Sequence, residues 1–218
     1  MRNYLLSNPV FMILHVSLLF SVSLVASRIF YTGNPYLLFM VWNLFLAYIP
    51  FLISSSFPFK PALIENKWIF WPLSLIWLLF IPNTFYMITD LFHLNDIRSM
   101  PLWFDTLLIV SFAWNGILLG LISVRQMESV MRIFLGRYTP FLFLYPVMFL
   151  NAFGVFIGRY LRYNSWDLIT DPLDLTKDIA RLIIHPFQFV HAWSMVAGFS
   201  VFLLLCYLFL QSWKKSAV

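Results

Sequence analysis

The chain has 218 residues, of which 61% are hydrophobic and 11% charged, and its net charge is +5. Soluble domains carry about 25% charged residues, and a domain this small keeps too much surface wet for a water-soluble fold to hide such apolar content. A nucleic-acid partner is excluded as well, because the basic residues nowhere cluster with interleaved aromatics.

About 20 mostly apolar residues cross a bilayer. Six stretches reach that length, at residues 9–28, 36–57, 68–89, 101–124, 140–161 and 187–211. The first is read as a span and not as a cleaved leader. Its apolar run from Pro9 to Ala26 exceeds the 7–15 residues, roughly, of a secretory core, although Val25-Ala26-Ser27 resembles a cleavage site. Between the last two spans, residues 171–185 predict an amphipathic helix. Asp171 stands at the cap position and Pro172 in the first turn. Leu175, Ile179, Leu182 and Ile183 share one face, opposite Lys177, Asp178 and Arg181. Such a helix either lies on the membrane surface or packs on the bundle as a connector. The expected fold is all-α: one integral membrane domain over residues 1–218, a polytopic helical bundle of six transmembrane helices and one interfacial helix.

Lys and Arg loop counts set orientation. With the N-terminus inside, the cytoplasmic side holds Arg2, Lys60, Lys67, Arg125, Arg132, Arg137, Lys214 and Lys215. The other side holds Arg28, Arg98, Arg159, Arg162, Lys177 and Arg181. Eight against six places both termini in the cytoplasm. The lone Cys206 excludes an internal disulfide and a Cys-based metal site.

An ionisable or amide side chain within a membrane is costly and by default indicates a site. Span three carries Asn83, Tyr86, Asp90 and His93 at helical spacing. Pro82 should bend that span, and Asn83 can satisfy a carbonyl the bend frees. Asp105 lies one turn into span four, where the free N–H groups of a helix start favour an acid. On span five, Asn151, Gly154, Gly158 and Arg162 share a face with Arg159 beside them. The two arginines either snorkel to phosphates or pair with Asp90 or Asp105. The pairs Gly116/Gly120 and Gly154/Gly158 suggest close packing of spans four and five. Trp166 suits an interfacial belt, and Asp167, Asn43 on span two and His191 on span six fall at similar depth. Together Asn43, Asn83, Tyr86, Asp90, His93, Asp105, Arg159, Arg162, Trp166, Asp167 and His191 predict an outward-facing polar cavity.

Three blocks carry a family likeness: Trp42-Asn-Leu-Phe-Leu-Ala-Tyr-Ile-Pro50, Trp77-Leu-Leu-Phe-Ile-Pro-Asn-Thr-Phe-Tyr-Met-Ile-Thr-Asp90 and Gly158-Arg-Tyr-Leu-Arg-Tyr-Asn-Ser-Trp-Asp167. With Trp103-Phe-Asp-Thr-Leu-Leu and the Gly116/Gly120 pair, they resemble a family of bacterial integral membrane proteins catalogued as domain of unknown function 1361. The resemblance implies a multi-span protein of the bacterial cytoplasmic membrane and carries no activity with it.

Three function classes follow. The first is binding or transport of a small or lipid-linked anionic ligand, held by Arg159 and Arg162. The second is an enzyme at the outer leaflet, with Asp90, His93 and Asp105 as acid–base groups or metal ligands. The third is an accessory subunit that holds a membrane-protein partner through its small-residue faces. No established catalytic or phosphate-binding spacing occurs. No metal and no cofactor is expected. His15 and His191 lie at different depths, which argues against paired haem ligation.

Overall fold

The computed structural model describes residues 9–96 and 100–216, with the side chains of 95, 96, 168, 169 and 213–216 outside the description. Arg2 and Arg98 of the charge census lie outside the described residues. Every regular element among the described residues is helical. Six helices are long and apolar enough to cross a membrane: Pro9–Thr32, Leu38–Phe59, Lys67–Leu94, Leu102–Tyr138, Pro140–Leu161 and Pro186–Ser212, spans one to six.

Local chemistry sets most boundaries. Span one ends at Gly33, whose φ of +66° suits a residue without Cβ and whose N–H bonds Ile29 O at 2.8 Å. Span three begins at Asn66, whose side chain accepts from the N–H of Trp68 at 3.0 Å. Span four differs most from its expected 101–124, because its α-helix runs unbroken to Leu135. Arg125, Gln126, Glu128 and Arg132 end a hydropathic stretch, but they are good helix formers. The helix stops only before Gly136, which again takes positive φ.

Span three is not one α-helix. Its first part, Lys67–Phe80, gives way at Ile81 to a short helix, Pro82–Tyr86, and then to a 3-10 segment, Met87–Asp96. Pro82 lacks the N–H that would continue the ladder, so the break falls where its ring begins.

The chain forms two compact units, Met1–Val130 and Met131–Val218. The first holds spans one to three and most of span four. Its core joins Leu14, Leu24 and Val25 of span one to Met40, Ala47 and Phe51 of span two, and to Leu108, Phe112 and Leu119 of span four. Gly116 and Gly120 seat the bend of span three, where a Cβ on Gly116 would run into the backbone oxygen of Thr84 and lie 3.1 Å from Met87 Sδ. A Cβ on Gly120 would meet Phe85 Cε1 at 2.7 Å. That small-residue face is covered from within the unit.

In the second unit, spans five and six pack together. The rings of Phe153 and Trp193 stack at 5.8 Å, with Phe149 beside both. Span five opens and closes with π-helical turns, Pro140–Leu144 and Ile157–Leu161. The connecting helix runs Pro172–Ile184. Asp171 occupies its cap position without a side-chain capping bond, contrary to the sequence expectation. Three sectors run around this helix. Leu175 and Leu182 are buried, and Leu182 joins Ala152, Phe156 and Val196 in a small core. Leu173, Ile183 and Ile184 are exposed apolar residues. Lys177 and Asp174 form an exposed pair at 2.7 Å. The helix therefore packs on its own bundle and also keeps separate apolar and charged faces, the pattern of a helix at a lipid–water boundary.

Candidate functional site

Spans one and three finish, and spans two and four begin, at one end of the first unit, as their chain order requires. Three ionisable side chains are buried there: Arg28, Asp90 and Asp105, each 1% exposed. Arg28 Nε donates to Asp105 Oδ1 at 2.8 Å. The backbone N–H of Asp105 is already spent on Pro101 O at 3.4 Å, so the acid sits inside the helix and not at its cap. The partner of Asp105 is thus an arginine of span one. Sequence reading missed Arg28 by counting it among loop charges. A signal was present: Ser17, Ser21 and Arg28 follow at four and seven residues on one face of span one.

Asp90 Oδ2 accepts from Asn43 Nδ2 at 3.5 Å, which joins span three to span two. One helical turn along, His93 Nδ1 lies 3.5 Å from Tyr36 Oη and its ring meets Phe39 edge-on at 5.4 Å. Asn83 donates to Phe80 O at 2.9 Å, the structural use expected beside Pro82. Tyr86 is half-buried within the short helix. Among the described residues, Asp105 thus meets Arg28, Asp90 meets Asn43, and His93 meets Tyr36 and Phe39. No group of three or more metal-ligating side chains occurs among the described residues.

Farther from this end, polar side chains bond one another. Asn115 Nδ2 donates to Ser21 Oγ at 2.8 Å and to Ser17 O at 3.1 Å, and Ser21 Oγ donates to Ser111 Oγ at 2.9 Å. His15 Nδ1 lies 2.6 Å from Phe11 O, which can only accept, so Nδ1 carries the proton and Nε2 accepts from Tyr48 Oη at 2.8 Å. Near the other end Trp77 Nε1 donates to Ser123 Oγ at 2.8 Å, and Ser54 Oγ to Gln126 Oε1 at 2.7 Å. Such bonds hold transmembrane helices together.

In the second unit, Arg159 lies in the π-helical turn and Arg162 terminates it, exposed, at φ +62°. The π-turn shifts the register, so Arg162 does not continue the face of Asn151, Gly154 and Gly158. Ile157 O accepts the N–H groups of both Arg162 and Tyr163. Tyr163 Oη then donates to Asp178 Oδ2 at 3.0 Å, which ties the end of span five to the connecting helix. Desolvation, that bond and the charges of Asp178, Asp171 and Asp174 push the Tyr163 phenol up to about 12. Trp193 Nε1 reaches Leu182 O at 3.2 Å and fixes the same helix from span six. Trp166 and His191 are exposed.

Asp167 closes the turn after span five by accepting from the Asn164 N–H at 2.6 Å and from the Thr170 hydroxyl at 2.9 Å. The Asn164 N–H holds its carboxyl below the usual range, aided by the Thr170 hydroxyl and the Asn164 amide against a smaller effect of burial. A lowered folded-state value means that the stabilisation is present above the ordinary carboxylate pKa and is lost as pH falls through the folded value. The Asn164 amide should lose protection from hydrogen exchange in acid, after correction for intrinsic rate, and Asp167→Asn should remove that acid dependence. Unchanged protection in acid would show that the carboxylate does not hold the turn.

An all-helical chain with six membrane-length apolar helices and ionisable residues buried at their ends is a multi-pass membrane protein. Residues 42–206 match the family model described as Protein of unknown function (DUF1361), and the chain belongs to that family. No curated protein and no solved structure matches the chain.

Proposed function

We propose that the protein binds a small or lipid-linked anionic ligand at the outer leaflet of the bacterial cytoplasmic membrane, with both termini cytoplasmic and Arg159 and Arg162 holding the anionic group. One observation carries this reading: Arg162 is exposed and is the one residue other than glycine at positive φ among the described residues. That conformation costs an L-residue about 1–2 kcal/mol, and glycine would fill it freely. An exposed arginine kept in a strained conformation, directly after a π-turn bearing a second arginine, supports a role for its side chain. Trp166 and the apolar sector of the connecting helix supply interfacial contacts for a lipid-linked ligand. Binding is favoured over transport because the polar groups deeper in the first unit bond one another. It is favoured over catalysis because no established catalytic spacing occurs in the sequence.

The test separates side chain from backbone. Arg162→Gly should raise stability by about 1 kcal/mol through relief of strain and abolish retention of phosphatidylglycerol, read by mass spectrometry of co-purified lipid. A variant that is more stable and still retains the lipid would sink the proposal.

A further inference from the structure

Gln126 lies toward the end of the first unit opposite Arg28 and Asp105. Its Oε1 is turned inward, where the Ser54 hydroxyl donates at 2.7 Å and the Ser55 hydroxyl at 3.1 Å. A hydroxyl has one hydrogen to give. Ser54 gives its own to Gln126, so its 2.9 Å contact with Ser123 Oγ takes the Ser123 hydrogen. Ser123 Oγ in turn accepts from Trp77 Nε1 at 2.8 Å. Trp77, Ser123, Ser54 and Gln126 thus form one donor chain, in which each bond polarises the next. The chain ends in the Gln126 amide and leaves Nε2 on the outer side. That nitrogen has two hydrogens to donate, has no partner among the described residues and is not buried. The neighbouring Arg125 is half-buried, and its guanidinium has neither a hydrogen bond nor an ion pair among the described residues.

Both side chains fall at the level of lipid phosphates. Asp105 and Arg125 are about 30 Å apart along the α-helix Leu102–Leu135, the thickness of the bilayer hydrocarbon. Trp103 is exposed near Asp105, and Trp68 is exposed at the opposite end, where span three begins, the placement of two interfacial belts. Leu52 of span two and Ile69 of span three are exposed toward that same end and offer apolar surface to acyl chains.

We infer that Arg125 and Gln126 form a head-group site for an anionic phospholipid. The Arg125 guanidinium holds the phosphodiester, and Gln126 Nε2 donates to a second of its oxygens. A cation without a counter-charge from the protein selects an anionic head group. One basic side chain near a charged membrane surface gives about a fivefold preference over neutral lipid. An arginine that only reaches the interface needs no donor beside it; here the serine chain presents one. The site uses residues of the first unit alone and is independent of Arg159 and Arg162.

The chain contains three glutamines, Gln126, Gln188 and Gln211. Isotopic labelling of glutamine side-chain nitrogen therefore gives three amide signals by NMR of the whole protein in nanodiscs. Gln188→Asn and Gln211→Asn, both in the second unit, assign the Gln126 signal by elimination. In phosphatidylcholine nanodiscs doped with phosphatidylglycerol, the Gln126 signal should move downfield and saturate. Half the change is expected at about one anionic lipid in six, as a fivefold preference dictates. Arg125→Met, which keeps the aliphatic stem, should abolish the movement. Arg162→Gly should leave it intact, which separates this site from the one proposed at the end of span five. Dimethyl phosphate added to pure phosphatidylcholine nanodiscs should not reproduce the shift. A Gln126 signal indifferent to phosphatidylglycerol overturns the inference, as does one that still moves in Arg125→Met or responds equally to the soluble phosphodiester. The wild-type titration decides the matter even if Arg125→Met does not fold.

Discussion

Replacing Asp105 by Leu should lower stability by about 3–5 kcal/mol, the usual cost of breaking a buried ion pair from one side. Replacing Arg28 by Leu removes the other partner of the same 2.8 Å bond and should also lower stability. The double variant Arg28→Leu/Asp105→Leu should return to within about 1 kcal/mol of the wild type or exceed it, since well-packed apolar residues often replace a buried pair at no cost. Thermal unfolding of the four proteins in one detergent gives the cycle. If the losses of the two single variants add in the double, the two side chains do not act as a pair.

Gly116→Ala should be the most damaging single-methyl change in the first unit. The added Cβ would run into the backbone oxygen of Thr84, and backbone cannot turn aside as a side chain can. Overpacking of this kind costs about 1–3 kcal/mol and sometimes more. Gly120→Ala meets the Thr84 hydroxyl and the Phe85 ring, both side-chain groups, and should cost less. Gly198→Ala serves as the control, because nothing lies within 4 Å of its Cβ position. A fall in unfolding temperature ordered 116, 120, 198 is expected. Equal tolerance at Gly116 and Gly198 would show that span three does not seat on span four at its bend.

The six spans were legible because lipid leaves a composition signal that needs no partner. Their ends were less so. Hydropathy reports where apolar residues stop, not where the backbone ladder stops, which is why span four continues through Arg125, Glu128 and Arg132 to Leu135. Pro82 announced the bend in span three, and Asn83 was placed on the freed backbone as expected. The 3-10 segment and the two π-turns carry no comparable residue signature. Of the candidate site, the aspartates were legible from their depth alone. Their partners were not, because pairing is a matter of which spans are neighbours. Arg28 was set aside as a loop charge although a serine stripe leads to it. The glycine pair of span four was read as a close-packing face, and the bend of span three is what seats on it; small residues specify closeness and not a partner.

The most direct test of ligand binding at the end of span five is a high-resolution structure of the protein in particles of its native membrane. A phosphate-bearing group within hydrogen-bond distance of the Arg159 or Arg162 guanidinium is the predicted result. Arg162 turned to bulk solvent, with nothing but neutral lipid beside span five, would contradict it.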